Sequence, residues 1–321
     1  MGQKTNASIF RQGLLKKNWE IKTLEKNKEE SSFFLYKTLE IQKYINRFFG
    51  LYEIKIHNCK IFYSDNSLQI FVSFYTTIKT IYIINKKVVK KIKPSLKDPK
   101  LKNNKNKIRT TSKNLQKITQ NKTFSFHKNE PNQNIYFEKF QELLIQSLAI
   151  YTKNKTNIFI TLQNLNLDKQ LSNDQVDNFK NIFKQLRKFV RKSFFKEGIN
   201  ILFVSFLKRK SAKLLADFLS SQFRLNQFKT YEMSIARKDN YFLGFLKQSI
   251  MLLIKSKTSC LTGLKIVIKG RFNKAPRAKT GNIHFGKFSL QSFNSKIDYH
   301  QSTAFTVNGT FGVKVWLCES N

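Results

Sequence analysis

Lys86, Lys87, Lys90, Lys91, Lys93, Lys97, Lys100, Lys102, Lys105 and Lys107 crowd residues 86–107, whose only acid is Asp98 and which also hold Pro94 and Pro99. A segment with so few apolar side chains cannot offset the entropy of ordering itself, so residues 86–131 are expected to be disordered in the free protein. This stretch limits what the chain can fold into. It separates two blocks of apolar periodicity, so the cores must be assembled on either side of a long interruption, and 321 residues suffice for two domains.

Residues 1–30 are polar and charged and read as a basic arm. Phe33 to Phe49 follows a helical spacing closed by Gly50. Tyr52 to Tyr63 and Leu68 to Tyr75 alternate as strands around the turn Ser64-Asp65-Asn66-Ser67. Beyond the lysine-rich stretch, Tyr136 to Tyr151 predicts a helix and Asn157 to Leu162 a strand. Asp174 to Lys196 predicts one long helix, and the apolar run Asn200 to Leu207 a strand. Ser211 is the expected N-cap of a helix over Ala212 to Phe223, and Asp239 to Lys255 is a second amphipathic helix. Strands are then expected at Leu264 to Lys269, Ile283 to Phe293, Ser295 to Tyr299 and Phe311 to Cys318. Two helices before an antiparallel sheet make an α+β arrangement.

The charge is lopsided: 59 Lys plus Arg face 20 Asp plus Glu, a formal net charge of +39. A free chain so charged repels itself, and a nucleic-acid polyanion relieves the repulsion while releasing condensed counterions. An AT-rich genome also enriches Lys, Asn, Ile and Phe, but it does not deplete acids. No apolar run approaches the roughly 20 residues of a membrane span. Cys59, Cys260 and Cys318 form no C-x-x-C pair, and His57, His127, His284 and His300 show no ligand spacing, so neither a metal nor another cofactor is expected. Met1 is followed at once by polar residues, which is unlike a signal peptide and suggests a protein made where it works.

Several stretches together resemble one family. The start Gly2-Gln3-Lys4-Thr5-Asn6, with Arg11 and Gly13, has Ala7 where that family usually has proline. Ile199-Asn200-Ile201 and Ser211 to Asp217 match a central passage. The fullest match is Gly263-Leu264-Lys265-Ile266, Gly270-Arg271, Ala278-Lys279-Thr280, Gly286-Lys287, Ile297-Asp298-Tyr299 and Gly309 with Gly312 to Leu317. The chain resembles the small-subunit ribosomal protein S-three family in its mitochondrial form. The resemblance implies a split K-homology, type II-like domain over 31–75 and 170–207, with 76–169 an insert. An alternative takes the later half from Tyr136 to Leu162. It also implies a C-terminal α/β-sandwich-like domain over 208–321 with a mostly antiparallel sheet.

Two departures qualify the resemblance. A K-homology domain clamps RNA backbone with a G-x-x-G loop, yet no glycine lies between Gly50 and Gly198. Gly309 to Gly312 has that spacing but precedes a strand and reads as a turn. The family lines its messenger entrance with an F-R-R-x-x-K helix, and here Phe242-Leu243-Gly244-Phe245-Leu246-Lys247 keeps the Phe and the Lys without the arginines. The candidate RNA-binding residues are Lys4, Arg11, Lys16 and Lys17 in the arm, Lys247, the loop residues Arg271, Lys274, Arg277 and Lys279, and Lys287. Asp298 has no partner acid or nucleophile nearby in sequence and reads as structural rather than catalytic.

These readings point to a non-enzymatic constituent of the small ribosomal subunit in the mitochondrial matrix. Its expected partners are ribosomal RNA, head proteins and messenger near the entrance. An intron maturase or homing endonuclease would carry Y-A-D-D or L-A-G-L-I-D-A-D-G signatures, which are absent here. A free-standing RNA-binding factor is the other rival.

Overall fold

A computed structural model describes residues 5–11, 21–22, 29–64, 67–77, 80, 83, 132–152, 157–166, 173–190, 192, 194–208, 210–229, 241–256, 261–272 and 277–319. The expected disorder at 86–131 lies outside the described residues.

In the N-terminal half, a short helix α1 (Ala7–Phe10) and strand β1 (Ile21–Lys22) precede α2 (Glu30–Gly50), β2 (Lys55–Tyr63), β3 (Ser67–Tyr75), α3 (Asn132–Tyr151) and β4 (Asn157–Asn164). The strands lie in the order β1-β2-β3-β4, with β2 and β3 antiparallel and both outer pairings parallel. Ile41, Ile45 and Phe49 of α2 and Phe140, Leu144 and Leu148 of α3 repeat at helical spacing and meet Ile61, Ile70 and Val72 of the sheet. Phe49 and Phe140 pack edge to face, 5.2 Å between centroids. Residues 157–164, expected within an insert, pair along β3 from Ser67↔Asn157 to Phe74↔Asn164. They take the place in this sheet that the first of the two readings gave to 200–207.

The second half opens with α4 (Asn173–Gln185), a 3-10 turn at Arg187–Phe189, α5 (Phe195–Phe203) and a π-helical turn at Val204–Lys208. The single helix expected over 174–196 is therefore broken, and the strand expected at Asn200 to Leu207 is helical. Ile201, Leu202, Phe203, Val204 and Phe206 are all buried. A short run that is apolar on every side reads the same as a central strand or as a helix sunk in a core. The alternation that separates a half-buried strand from a helix is missing there.

Helices α6 (Ala212–Lys229) and α7 (Tyr241–Lys255) lead into β5 (Leu261–Gly270), β6 (Lys279–Gly286), β7 (Ile297–Thr306) and β8 (Gly309–Glu319). These strands form an antiparallel sheet in the order β6-β5-β8-β7. Leu264, Ile266 and Ile268 of β5 and Val313, Val315 and Leu317 of β8 alternate into the core against Phe218, Phe242, Phe245 and Ile250 of the two helices. Strand β6 stops at Gly286 rather than continuing to Phe293, because Gly286 turns the chain out at φ +76°. Gly309, at φ +118°, turns the β7–β8 hairpin, which is the turn role expected of the Gly309 to Gly312 spacing. Among the described residues, no helix is long and apolar enough to cross a membrane.

Candidate nucleic-acid interface

The antiparallel sheet has two unlike faces. Its inner face is apolar except along β7, where three polar residues hold α6. Asp298 Oδ2 accepts from the Ala212 amide at 2.7 Å, His300 Nε2 lies 3.9 Å from Asp217 Oδ1, and Ser302 Oγ donates to the Ala216 carbonyl at 2.8 Å. Asp298 thus caps the α6 N-terminus together with Ser211, whose Oγ accepts from the Leu214 amide at 3.3 Å. The structural role expected of Asp298 follows from this geometry.

The outer face carries cations among polar residues and apolar ones such as Trp316 and the exposed Phe305. The pairings Lys265↔His284, Lys265↔Trp316, Val267↔Lys314 and Gln301↔Lys314 place Lys265, Lys314, His284 and Gln301 on it, with Lys269 further along β5. Lys265 Nζ stands 5.8 Å from the Trp316 ring centroid. The only acids between 261 and 319 are Asp298, which faces α6, and Glu319, which pairs with Lys210 at 3.3 Å. Neither neutralises these lysines. Lys265, Lys269 and Lys314 were missed as candidates, although each follows or interrupts a buried residue in alternation. That period puts them opposite the core.

The structure divides the residues expected to bind RNA. Arg271, Arg277 and Lys279 are all exposed where β5 and β6 end, with Lys279 opposite Gly270 and Lys269 opposite Thr280. The four form one cationic tip. Lys287 is exposed beyond the other end of β6, and Lys247 is exposed on α7, whose buried side carries Phe242, Phe245 and Leu246. Lys4, Lys16, Lys17 and Lys274 lie outside the described residues.

Arg11 is a correction. It is 1% exposed. Its Nη2 donates to the carbonyls of Leu290 at 2.6 Å and Ser292 at 2.7 Å, and its Nη1 to that of Ala7 at 3.2 Å. A guanidinium so deeply buried, with both Nη atoms committed to carbonyls, presents no face to phosphate. Ala7, Ile297 and Cys318 pack together beside it, with Phe288, Leu290, Tyr299 and Trp316 around them. The start of the expected basic arm is therefore a clasp that pins the 287–296 loop over one end of the outer face.

Helix α7 and all four strands of this sheet fall largely within residues 243–317, which match the family described as ribosomal protein S3, C-terminal domain. The C-terminal domain belongs to the ribosomal protein S3 family. Small ribosomal subunit protein uS3c of Euglena longa is 28% identical over 186 residues, covering 56% of this chain and 79% of that protein. Small ribosomal subunit protein uS3c of Gracilaria tenuistipitata var. liui is 34% identical over 108 residues, or 34% of this chain and 42% of the relative. Small ribosomal subunit protein uS3 of Dictyoglomus turgidum is 31% identical over 137 residues, 43% of this chain and 48% of the relative. The chain thus spans most of the first relative and less than half of the other two.

Proposed function

We propose that this chain is a structural, non-catalytic constituent of a small ribosomal subunit, working in an organelle and specifically in mitochondria. The observation that carries this reading is the S3-type sheet that presents Lys265, Lys269 and Lys314 on its solvent side and Arg271, Arg277 and Lys279 at its tip. Such a surface binds phosphate backbone by counterion release and needs no base readout. Lys265, Lys269, Arg271, Arg277, Lys279 and Lys314 would form the principal contact with ribosomal RNA. Lys4, Lys16, Lys17, Lys274 and Lys287 would add phosphate contacts, and Lys247 would meet messenger at the entrance path. Neighbouring head proteins complete its surroundings.

The N-terminal unit supports the same reading. Its helix–strand–strand–helix–strand order with both helices on one face is what a type II-like K-homology fold would give. On this reading the fold is split at 76–131 and takes its later half from 132–164. The chain has no glycine from 51 to 197, so the phosphate-clamping loop of that fold is missing and RNA contact shifts to the C-terminal surfaces.

The test is sedimentation of the source organelle in a high-salt gradient, with mass spectrometry of the small-subunit peak. Stoichiometric presence there is expected. Recovery only at the top of the gradient would make the protein a free-standing RNA-binding factor. In vitro, replacing Arg271, Arg277 and Lys279 together by Gln should flatten the salt dependence of single-stranded RNA binding by about 2 in log–log slope, roughly 0.7 per lost phosphate contact.

A further inference from the structure

The two sheets meet across a seam where β2 lies against α6. The contact is polar in an unusual way. Lys213, Asp217, Ser220, Ser221 and Arg224 recur at helical spacing and form one stripe of α6, while Leu214, Leu215, Phe218 and Leu219 bury the opposite side. The polar stripe faces Ile54, Lys55 and Ile56 of the N-terminal unit and Asn46 of α2 across a cleft of about 250 Å³. Side-chain hydrogen bonds cross the seam. Lys55 Nζ donates to the Asp217 carbonyl at 2.9 Å, and Ser211 Oγ lies 2.9 Å from His57 Nδ1.

Three cations, Lys55, Lys213 and Arg224, line this cleft with a single carboxylate, Asp217. That carboxylate also has His300 at 3.9 Å on its sheet side. Ser220 and Ser221 spend their hydroxyl protons on the carbonyls of Asp217 and Phe218, at 2.9 and 2.7 Å, so neither donates to an anion here and the grip falls to the three cations. Burial holds the Lys55 amine below the ordinary lysine range; Asp217, Glu197 and Glu53 partly offset this, and Arg224 pushes it further down. An anion in the cleft relieves both the desolvation and the repulsion.

We propose that this cleft is a binding site for a phosphate group, supplied by the backbone of an RNA strand and gripped by both domains at once. The proposal rests on the RNA-binding reading above and extends it to a site that fixes how the two domains are oriented. A single phosphodiester bridging Lys55 on one side with Lys213 and Arg224 on the other ties the seam as the subunit assembles.

The test uses the full chain with a short single-stranded RNA and, separately, inorganic phosphate. Lys213→Gln with Arg224→Gln keeps good helix formers on a partly exposed stripe, and thermal melting checks that the fold survives. The expected result is a several-fold loss of RNA affinity, with RNA-induced hydrogen-exchange protection at 54–56 and 217–224 present in the wild type and absent in the variant. Unchanged affinity and no RNA-induced protection of these segments would overturn the proposal. If inorganic phosphate protects the segments and RNA does not, the cleft takes a free phosphate and the RNA assignment falls. If only the Arg271, Arg277 and Lys279 replacement weakens RNA binding, the cleft proposal fails while the ribosomal reading stands.

Discussion

The C-terminal sheet is built mainly from chain neighbours: β5 runs into β6 and β7 into β8, each pair antiparallel. The N-terminal sheet instead sets β4 parallel to β3 across everything between Tyr75 and Asn157. A parallel pair needs a crossover, and α3 supplies it. Loop closure costs grow only with the logarithm of length, so extra chain inside an obligatory crossover adds little. An antiparallel hairpin has no such slack, because its turn geometry sets the register. The difference explains why the long lysine-rich insertion interrupts the first sheet, while the second keeps a matchable sequence pattern over 243–317.

Glycine substitution should break this comparison most visibly. A Cβ on Gly263 would lie 2.1 Å from the Lys287 carbonyl oxygen, and one on Gly286 would lie 2.1 Å from that of Thr262, at a φ of +76°. These overlaps are with backbone and cannot be relieved by a rotamer change. Gly263→Ala or Gly286→Ala is expected to cost about 3 kcal/mol or more by chemical denaturation. Gly50 ends α2, and a methyl group added there would meet nothing within 4 Å, so Gly50→Ala should be neutral or stabilising by up to about 1 kcal/mol. Equal losses at Gly50 and Gly263 would remove the distinction between the two sheets.

The next effect concerns Arg11, which the sequence presents as one more basic residue of an arm. Arg11→Gln removes the bonds to Leu290 and Ser292 and frees the 287–296 loop. A loss of about 2 kcal/mol is expected, since hydrogen bonds from a charged donor contribute about 1.5–3 kcal/mol. The salt dependence of RNA binding by the folded variant should stay at the wild-type slope. A flattened slope with unchanged stability would return Arg11 to the set of phosphate ligands.

Arg11 also shows where sequence reading stops. Its partners lie some 280 residues along the chain, and nothing near Arg11 in sequence distinguishes a clasp from a solvated arm. The Arg271, Arg277 and Lys279 tip was legible, because a loop between two alternating strands has to present its charges outward. Lys265, Lys269 and Lys314 were equally legible from alternation, but an isolated lysine inside an apolar strand forms no motif. The helical fold of 200–207 was not legible, because burial on every side erases the period on which the assignment depends. The α6 stripe was visible only as scattered polar residues until β2 was seen to cross it.

The smallest expected effect tests that crossing. Burial raises the Asp217 carboxyl above its reference value of 3.8, while His300, Lys55 and Lys213 pull it back down. A carboxyl whose folded pKa is raised favours folding fully below its unfolded pKa. That contribution is lost as pH rises through the folded value. Asp217→Asn removes this titration, so the variant should match the wild type at about pH 3 and gain on it as pH approaches about 7. The side chain is about a third exposed, at 32%, so solvent screens the effect. A gain below about 1 kcal/mol is expected, read from melts at both pH values. If the variant instead loses stability as pH rises, the attraction of Lys55, Lys213 and His300 outweighs the burial cost. The seam would then be an ion-paired joint already saturated by its own carboxylate, leaving its cations less need of a phosphate.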